Sequence, residues 1–283
     1  MAVVELTGSP RPAAVYARAA IGLVPGAGRR RGVLPGLELV RRGVIADREH
    51  VARYNRVCGF RLTDALPATF PHILAFPLAM RLMSARDFPF PVVGLVHVAN
   101  RTTIHRAIDA GTPLDLSVRA LDLREHDRGR QFDIVVTATA DGALVWRGVS
   151  TYLSKQRPGG PRDFNDHRPA PAGSALWQVP VRTGREYAAV SGDHNPIHTS
   201  RLGARLFGFP RPIAHGMWSM ARCLAALEGR LPAAYTVDVS FKLPILLPAQ
   251  VSFVARPVGD GWEFGLYAAR DGRPHLAGEL THP

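Results

Sequence analysis

The chain has 283 residues, room for one large domain or two small ones. At 46% hydrophobic and 20% charged residues it holds enough apolar material for a core, which excludes a mainly disordered chain, a collagen-like chain and a coiled coil. The formal net charge of +12 comes almost wholly from arginine, since lysine occurs only at Lys155 and Lys242, and in a chain rich in Ala, Gly and Pro this points to coding bias before it points to DNA.

Ala13 to Val24 follows Arg11 as an apolar stretch, but Arg18 interrupts it and no clean small-residue cleavage site comes after. It reads as a short surface helix in an N-terminal extension, residues 1–36. The dense basic groups Arg29-Arg30-Arg31 and Arg41-Arg42 precede the first clear fold element. Cys58 and Cys223 cannot build a disulfide framework and match no metal-ligand spacing, so a reducing compartment is the simple expectation. No apolar run reaches the ~18–20 residues that span a bilayer. Together these features predict a cytoplasmic protein that neither binds nucleic acid nor inserts in a membrane.

Two similar halves follow, residues 37–155 and 176–283. Between them Gln156 to Ala175 is dense in Pro, Gly and charge and lacks apolar periodicity, so it reads as a linker. Tyr54 to Phe60 (YNRVCGF) lies over Tyr187 to Asp193 (YAAVSGD). Phe70 to Leu78 (FPHILAFPL) lies over Phe209 to Met217 (FPRPIAHGM) without a gap. Each half then predicts a long apolar helix, Ile73–Ala85 and His215–Glu228. Met217, Met220, Ala221, Leu224 and Leu227 recur at helical spacing. With Trp218 and Ala225 filling the other faces, this helix belongs in the interior.

Strands follow over Val92–Thr103 and Leu114–Leu123, matched by Tyr235–Lys242 and Gln250–Pro257. Each half closes on two β-prone runs around Asp-Gly, at Asp141-Gly142 and Asp271-Gly272, a hairpin signal because both turn positions tolerate positive φ. A buried helix wrapped by an antiparallel sheet is the hot-dog arrangement. The expected fold is α+β, a double hot dog, with the two copies forming a pseudo-dimer in one chain and homodimerisation left open.

Tyr187 to His198 (YAAVSGDHNPIH), with Ala204 beyond it, resembles the signature of the MaoC-like (R)-specific enoyl-thioester hydratases. Phe209 to Met217 resembles the second block of that family and Phe241 to Pro244 (FKLP) a third. The layout of the whole chain, including Leu123 to His126 (LREH) and the linker, is similar to the two-domain 3-hydroxyacyl-thioester dehydratases of the mycobacterial type.

Adding water to a 2-enoyl thioester needs a base for water, an acid for the α-carbon and donors to the thioester oxygen. Asp193 and His198 stand five residues apart on a loop bent by Asn195-Pro196, where they can converge on one water. Gly216 opens the buried helix, where an orphan N–H faces outward at the positive dipole end. By position the resemblance implies Asp193 and His198 as the catalytic pair, Asn195 as shaping the loop and binding the water, and the Gly216 amide as polarising the thioester carbonyl. His198 is expected as base toward water and Asp193 as acid toward the α-carbon, giving syn addition and a (3R)-hydroxy product.

Tyr187, Ile197, Ala214, His215 and Met217 are expected around the substrate, with His215 supporting the loop. Phe60 and Phe76 of the first copy join them on the acyl side. The gap-free overlay puts Phe60 in place of Asp193, Phe76 in place of His215 and Pro77 in place of Gly216, which predicts a catalytically degenerate first copy. The resemblance implies no metal and no cofactor beyond the thioester carrier, CoA or an acyl carrier protein. A hot-dog acyl-thioesterase and a non-catalytic acyl-thioester-binding protein are the alternatives.

Overall fold

The computed structural model describes residues 2–10, 32–156, 172–173 and 175–282. The helix expected within 13–24 and most of the expected linker lie outside these residues. In chain order the first part holds β1 (Ala2–Glu5), β2 (Leu37–Val44), α1 (Arg48–Cys58), α2 (Phe70–Met83), β3 (Leu95–Ile104), β4 (Leu114–His126), β5 (Gly129–Ala140) and β6 (Ala143–Lys155). The second part holds β7 (Ala175–Val179), α3 (Thr183–Ser191), α4 (Pro196–Thr199), α5 (Arg201–Leu206), α6 (Gly216–Leu227), β8 (Tyr235–Phe241), β9 (Ala249–Val258), β10 (Gly261–Ala268) and β11 (Pro274–Thr281).

The strands form one sheet in the order β1-β2-β4-β5-β6-β3-β8-β11-β10-β9-β7. Read from the two ends, β2-β4-β5-β6-β3 and β7-β9-β10-β11-β8 follow the same path through the chain, so the repeat visible in the residues is a repeat in topology. The two units meet where β3 pairs antiparallel with β8, from Ala99↔Ser240 to Ile104↔Tyr235. Alternation along β4 places Leu114, Leu116, Val118 and Ala120 inward against α2. Both long helices are buried nearly all round, α2 through Phe70, Ile73, Leu78 and Leu82, α6 through Met217, Met220, Leu224 and Leu227. This is the double hot dog. Cys58 and Cys223 are buried, unbridged thiols, and no helix among the described residues is long and apolar enough to cross a membrane.

Three sequence expectations change. Arg41 and Arg42 do not precede the fold: they lie in β2, where Arg42 pairs with Glu5 and Asp115. The N-terminal extension contributes β1, parallel to β2.

The gap-free overlay of the Phe-Pro blocks is out of register. In the first copy Pro71 occupies the first turn of α2, where a missing N–H costs nothing. In the second copy Phe209-Pro210 lies in the loop ahead of α6. By helix position Phe70 therefore stands where Gly216 stands, and Thr69 where His215 stands. Tyr54 Oη donates to Thr69 Oγ1 at 2.8 Å, in the place where Tyr187 packs on His215. Pro77 sits inside α2 and Phe76 is not the counterpart of His215. Phe70 at the helix start still leaves the first copy without a glycine at that position.

The two units are laced through their helices. Trp218 Nε1 donates to the Val57 carbonyl, the Arg61 amide donates to Glu228 Oε2 at 2.8 Å, and His50 Nε2 donates to the Val190 carbonyl at 2.6 Å. The last bond fixes α3 immediately before the Asp193–His198 loop.

Candidate active site

Helix α3 ends at Gly192, whose φ of +76° is the left-handed cap that glycine adopts without strain. The chain then turns sharply. The Asp193 amide donates to Ser191 Oγ at 3.2 Å, and the Asn195 amide donates to Asp193 Oδ1 at 3.2 Å. Asn195 Oδ1 accepts from the Ile197 amide, which caps the short α4 that begins at Pro196. Asn195 thus shapes the loop as a cap.

His198 projects from α4 and is buried. Its Nδ1 lies 2.8 Å from the Ile213 carbonyl. A carbonyl only accepts, so Nδ1 carries the proton and Nε2 carries the lone pair in the neutral ring. Burial lowers the pKa of His198, and the nearby Asp193 charge opposes that shift in part. The outcome is a neutral imidazole with Nε2 available as a base.

His215 is the residue before α6. Its Nε2 donates to the Asp193 carbonyl at 3.0 Å and lies 3.9 Å from Asp193 Oδ2. Its ring stacks on His198 and lies 4.9 Å from the Tyr187 ring. Burial pushes its pKa down to about 3. His215 therefore holds the Asp193 backbone, and Asp193 keeps its carboxylate about one-third exposed. The Ile213 amide donates to the Ile197 carbonyl at 3.1 Å and the Ala214 amide to Ile245 at 2.9 Å, so the loop is strapped to the segment entering α6.

As the first residue of α6, Gly216 has an amide with no partner inside the helix. A Cβ on Gly216 would lie 3.1–3.2 Å from the Phe241 ring, tighter than ordinary contact, so glycine lets the helix start pack against that ring. The site thus brings together a carboxylate, a neutral imidazole and the first N–H of a helix.

Donor atoms of Asp193, His198 and His215 lie within 4.8 Å of one another. That spacing suits an ion. His215 Nε2, however, is already engaged with the Asp193 carbonyl.

The first copy borders this site. A Cβ on Gly192 would lie 3.7 Å from Phe76 Cδ1. The Asp193 charge also reaches His72, His97 and Tyr152, all on first-copy elements.

Residues 155–264 match the family of MaoC-like domains. The 3-hydroxyacyl-thioester dehydratase X of Mycobacterium tuberculosis is 38% identical over 263 residues, covering 92% of this chain and 94% of that protein. The chain belongs to the MaoC-like dehydratase family. The crystal structure of HtdX of M. tuberculosis superposes on this MaoC-like protein with a TM-score of 0.79 at 36% identity, covering 87% of this chain and 100% of that one. The (R)-specific enoyl-CoA hydratase of Aeromonas caviae is 34% identical over 70 residues, 23% of this chain and 52% of that enzyme.

The structure of this MaoC-like dehydratase brings Asp193, Asn195, Ile197, His198, Ala214, His215 and Gly216 into one loop-and-helix cluster, with Tyr187 packed on His215 and Met217 buried behind Gly216. Phe76 reaches it beside Gly192. Phe60 does not join the cluster by any ring contact of its own: it stacks on Tyr54 at 6.4 Å.

Sequence reasoning passed over His50, Gly184, His72, His97 and Tyr152. Gly184 carried a readable signal only in part, as a glycine inside a helix. A Cβ there would overlap the His198 carbonyl oxygen. The first-copy rings carried none, because nothing local marks a strand histidine as facing another repeat's loop.

Proposed function

We propose that this MaoC-like dehydratase interconverts (3R)-hydroxyacyl thioesters and trans-2-enoyl thioesters. The observation that carries this reading is the pairing of a neutral His198, its Nε2 free to accept, with Asp193 beside the orphan amide of Gly216.

In hydration, His198 Nε2 takes a proton from water as the oxygen attacks C3. Charge then moves to the thioester oxygen, where the Gly216 amide donates to the developing enolate. The proton held on His198 passes to the Asp193 carboxylate, which delivers it to C2, so the elements of one water are added and both groups return to their starting states. Dehydration runs these steps in reverse. Acid and base on one loop act from one face, which supports syn addition. The carrier in this proposal is CoA or an acyl carrier protein, either of which brings phosphate to a chain of formal charge +12.

The test follows crotonyl-CoA by two readouts. Loss of enoyl absorbance without free thiol supports the proposal, and release of free CoA supports the thioesterase alternative. Binding with neither change supports a non-catalytic acyl-thioester-binding protein.

A further inference from the structure

We propose that His97, with His72 and Tyr152, forms a polar subsite for a hydroxyl group carried on the substrate's acyl chain beyond the reacting carbons. The proposal rests on the hydratase reading for the direction in which the chain runs.

The register of β3 against β6 shifts between His97 and Ala99: His97 pairs with Tyr152 and Ala99 with Thr151, leaving Val98 as the extra residue. Such bulges re-aim neighbouring side chains and are frequent beside functional sites. Here the His97 ring stacks on Tyr152 with centroids 4.8 Å apart, faces His72 at 6.5 Å and meets Phe241 edge-on at 5.0 Å. Phe241 is the ring packed where a Cβ on Gly216 would stand. At the other end His72 lies 6.3 Å from Phe76, the ring beside Gly192. Phe76, His72, His97 and Phe241 therefore form an unbroken row from the residue before Asp193 to the residue that supplies the oxyanion amide.

With C1 at Gly216 and C3 at the Asp193–His198 pair, later carbons of the chain have this row to pack against. Two of its four rings are apolar, which suits methylenes. The two imidazoles do not. His97 Nε2 is buried and has no hydrogen-bond partner. Native proteins leave few such atoms, because an unmade buried hydrogen bond is unfavourable. An alkyl chain would leave Nε2 unsatisfied, and phenylalanine would serve such a chain better.

Burial keeps both rings uncharged, with pKa values pushed down to about 4 for His72 and about 3 for His97. An uncharged wall near the Asp193 carboxylate does not attract an anionic substituent. A hydroxyl fits, because it donates to or accepts from a neutral imidazole in either tautomer.

The test compares kcat/KM of the full chain for trans-2-octenoyl-CoA with that for its 5-, 6- and 7-hydroxy derivatives. One hydroxylated isomer is expected to be preferred by about tenfold, the size of one added hydrogen bond. His97→Phe is expected to bring that ratio to about one, since it keeps the ring and removes the nitrogen. Should that variant fail to fold, His72→Phe takes its place.

No preference for any hydroxylated isomer in the wild-type protein overturns the proposal, and so does a ratio unchanged in the folded variant. If none of these thioesters is hydrated, the hydratase reading fails on its own. The subsite is then judged by calorimetric affinities of the same matched pairs, where equal affinities overturn it and a hydroxyl preference lost in His97→Phe supports it.

Discussion

The rings of His198 and His215 stack with centroids 3.7 Å apart and planes 25° apart. Each is held by a backbone carbonyl near the other: His198 by Ile213, His215 by Asp193. The stack thus clasps the Asp193–His198 loop to the entrance of α6. It also disfavours two protons at once, since both rings are buried and a charge on His198 lowers the pKa of His215.

The first consequence is kinetic. With its pKa below the usual imidazole value of 6.5, His198 stays neutral and basic through mildly acidic pH. The acid limb of kcat/KM for hydration is expected below pH 6.5. A limb at or above 6.5 in a pH–rate profile contradicts the assignment of His198 as base.

The second concerns stability. His72, His97, His198 and His215 all have folded pKa values below the unfolded value, so the folded state binds fewer protons. Stability is then complete above about pH 6.5 and falls as pH drops below it. Thermal unfolding is expected to show Tm decreasing steadily from pH 6.5 to 4.5, before ordinary carboxylates titrate. A flat Tm over that window refutes it.

The pair itself is tested by Asp193→Asn and His198→Ala. Asn suits the same turn, so both variants are expected to fold, and each is expected to lose on the order of 10²–10⁴ in rate. Circular dichroism checks the fold, and enoyl-CoA absorbance reads the rate.

Much of this molecule was legible locally. Asp141-Gly142 closes its hairpin with φ of +51° and +77°, the conformation its residue types favour. Asp271-Gly272 does not repeat it: the ladder shifts register after Leu266 and ends at Tyr267↔Pro274, and a longer turn is closed by the Ala268 amide donating to Arg273 and the Gly272 amide donating to Ala268. Strand β2 escaped notice because Arg41-Arg42-Gly43 breaks its alternation, and the sheet absorbs that break as a register shift against β4. The overlay error at Phe70 has a similar origin. A Phe-Pro pair opens a helix in one copy and lies in a loop in the other, and only the packing around each decides which. The Asp193–His198 loop was readable because its turn chemistry is contained in consecutive residues. The row from Phe76 to Phe241 was not, because it is assembled from α2, β3 and β8 across two repeats.

Gly184 tests how closely the loop is held. A methyl group at this position meets the His198 carbonyl oxygen, which is backbone and cannot step aside alone. Gly184→Ala is expected to destabilise by about 1–3 kcal/mol, the usual range for overpacking. It is also expected to lower kcat more than 10-fold by displacing His198. Denaturant unfolding and kcat on crotonyl-CoA measure the two effects, and an unchanged kcat shows that the contact does not position the base.

Phe76 tests whether the first copy shapes the acyl side of the site. Its ring is buried, sits beside Gly192 and packs toward His72. Phe70, six residues earlier on α2, is buried more completely still, and its ring neighbours are Tyr54 at 5.3 Å and His50 at 5.2 Å. Truncating either to alanine removes the same volume and is expected to cost about 3–5 kcal/mol. The two differ in what the lost volume adjoins. At position 76 the cavity opens beside Gly192 and the Asp193–His198 loop, where, on the proposed function, a longer chain enters it. At position 70 it opens between α1 and α2. Phe76→Ala is therefore expected to shift the ratio of kcat/KM for C10 over C4 enoyl-CoA severalfold toward the longer substrate, whereas Phe70→Ala lowers Tm and leaves the ratio in place. Phe76→Leu, with a smaller loss of volume, is expected to fall between wild type and alanine. Identical C10-to-C4 ratios in the Phe76 and Phe70 variants mean that the ring is core alone and that chain length is set elsewhere.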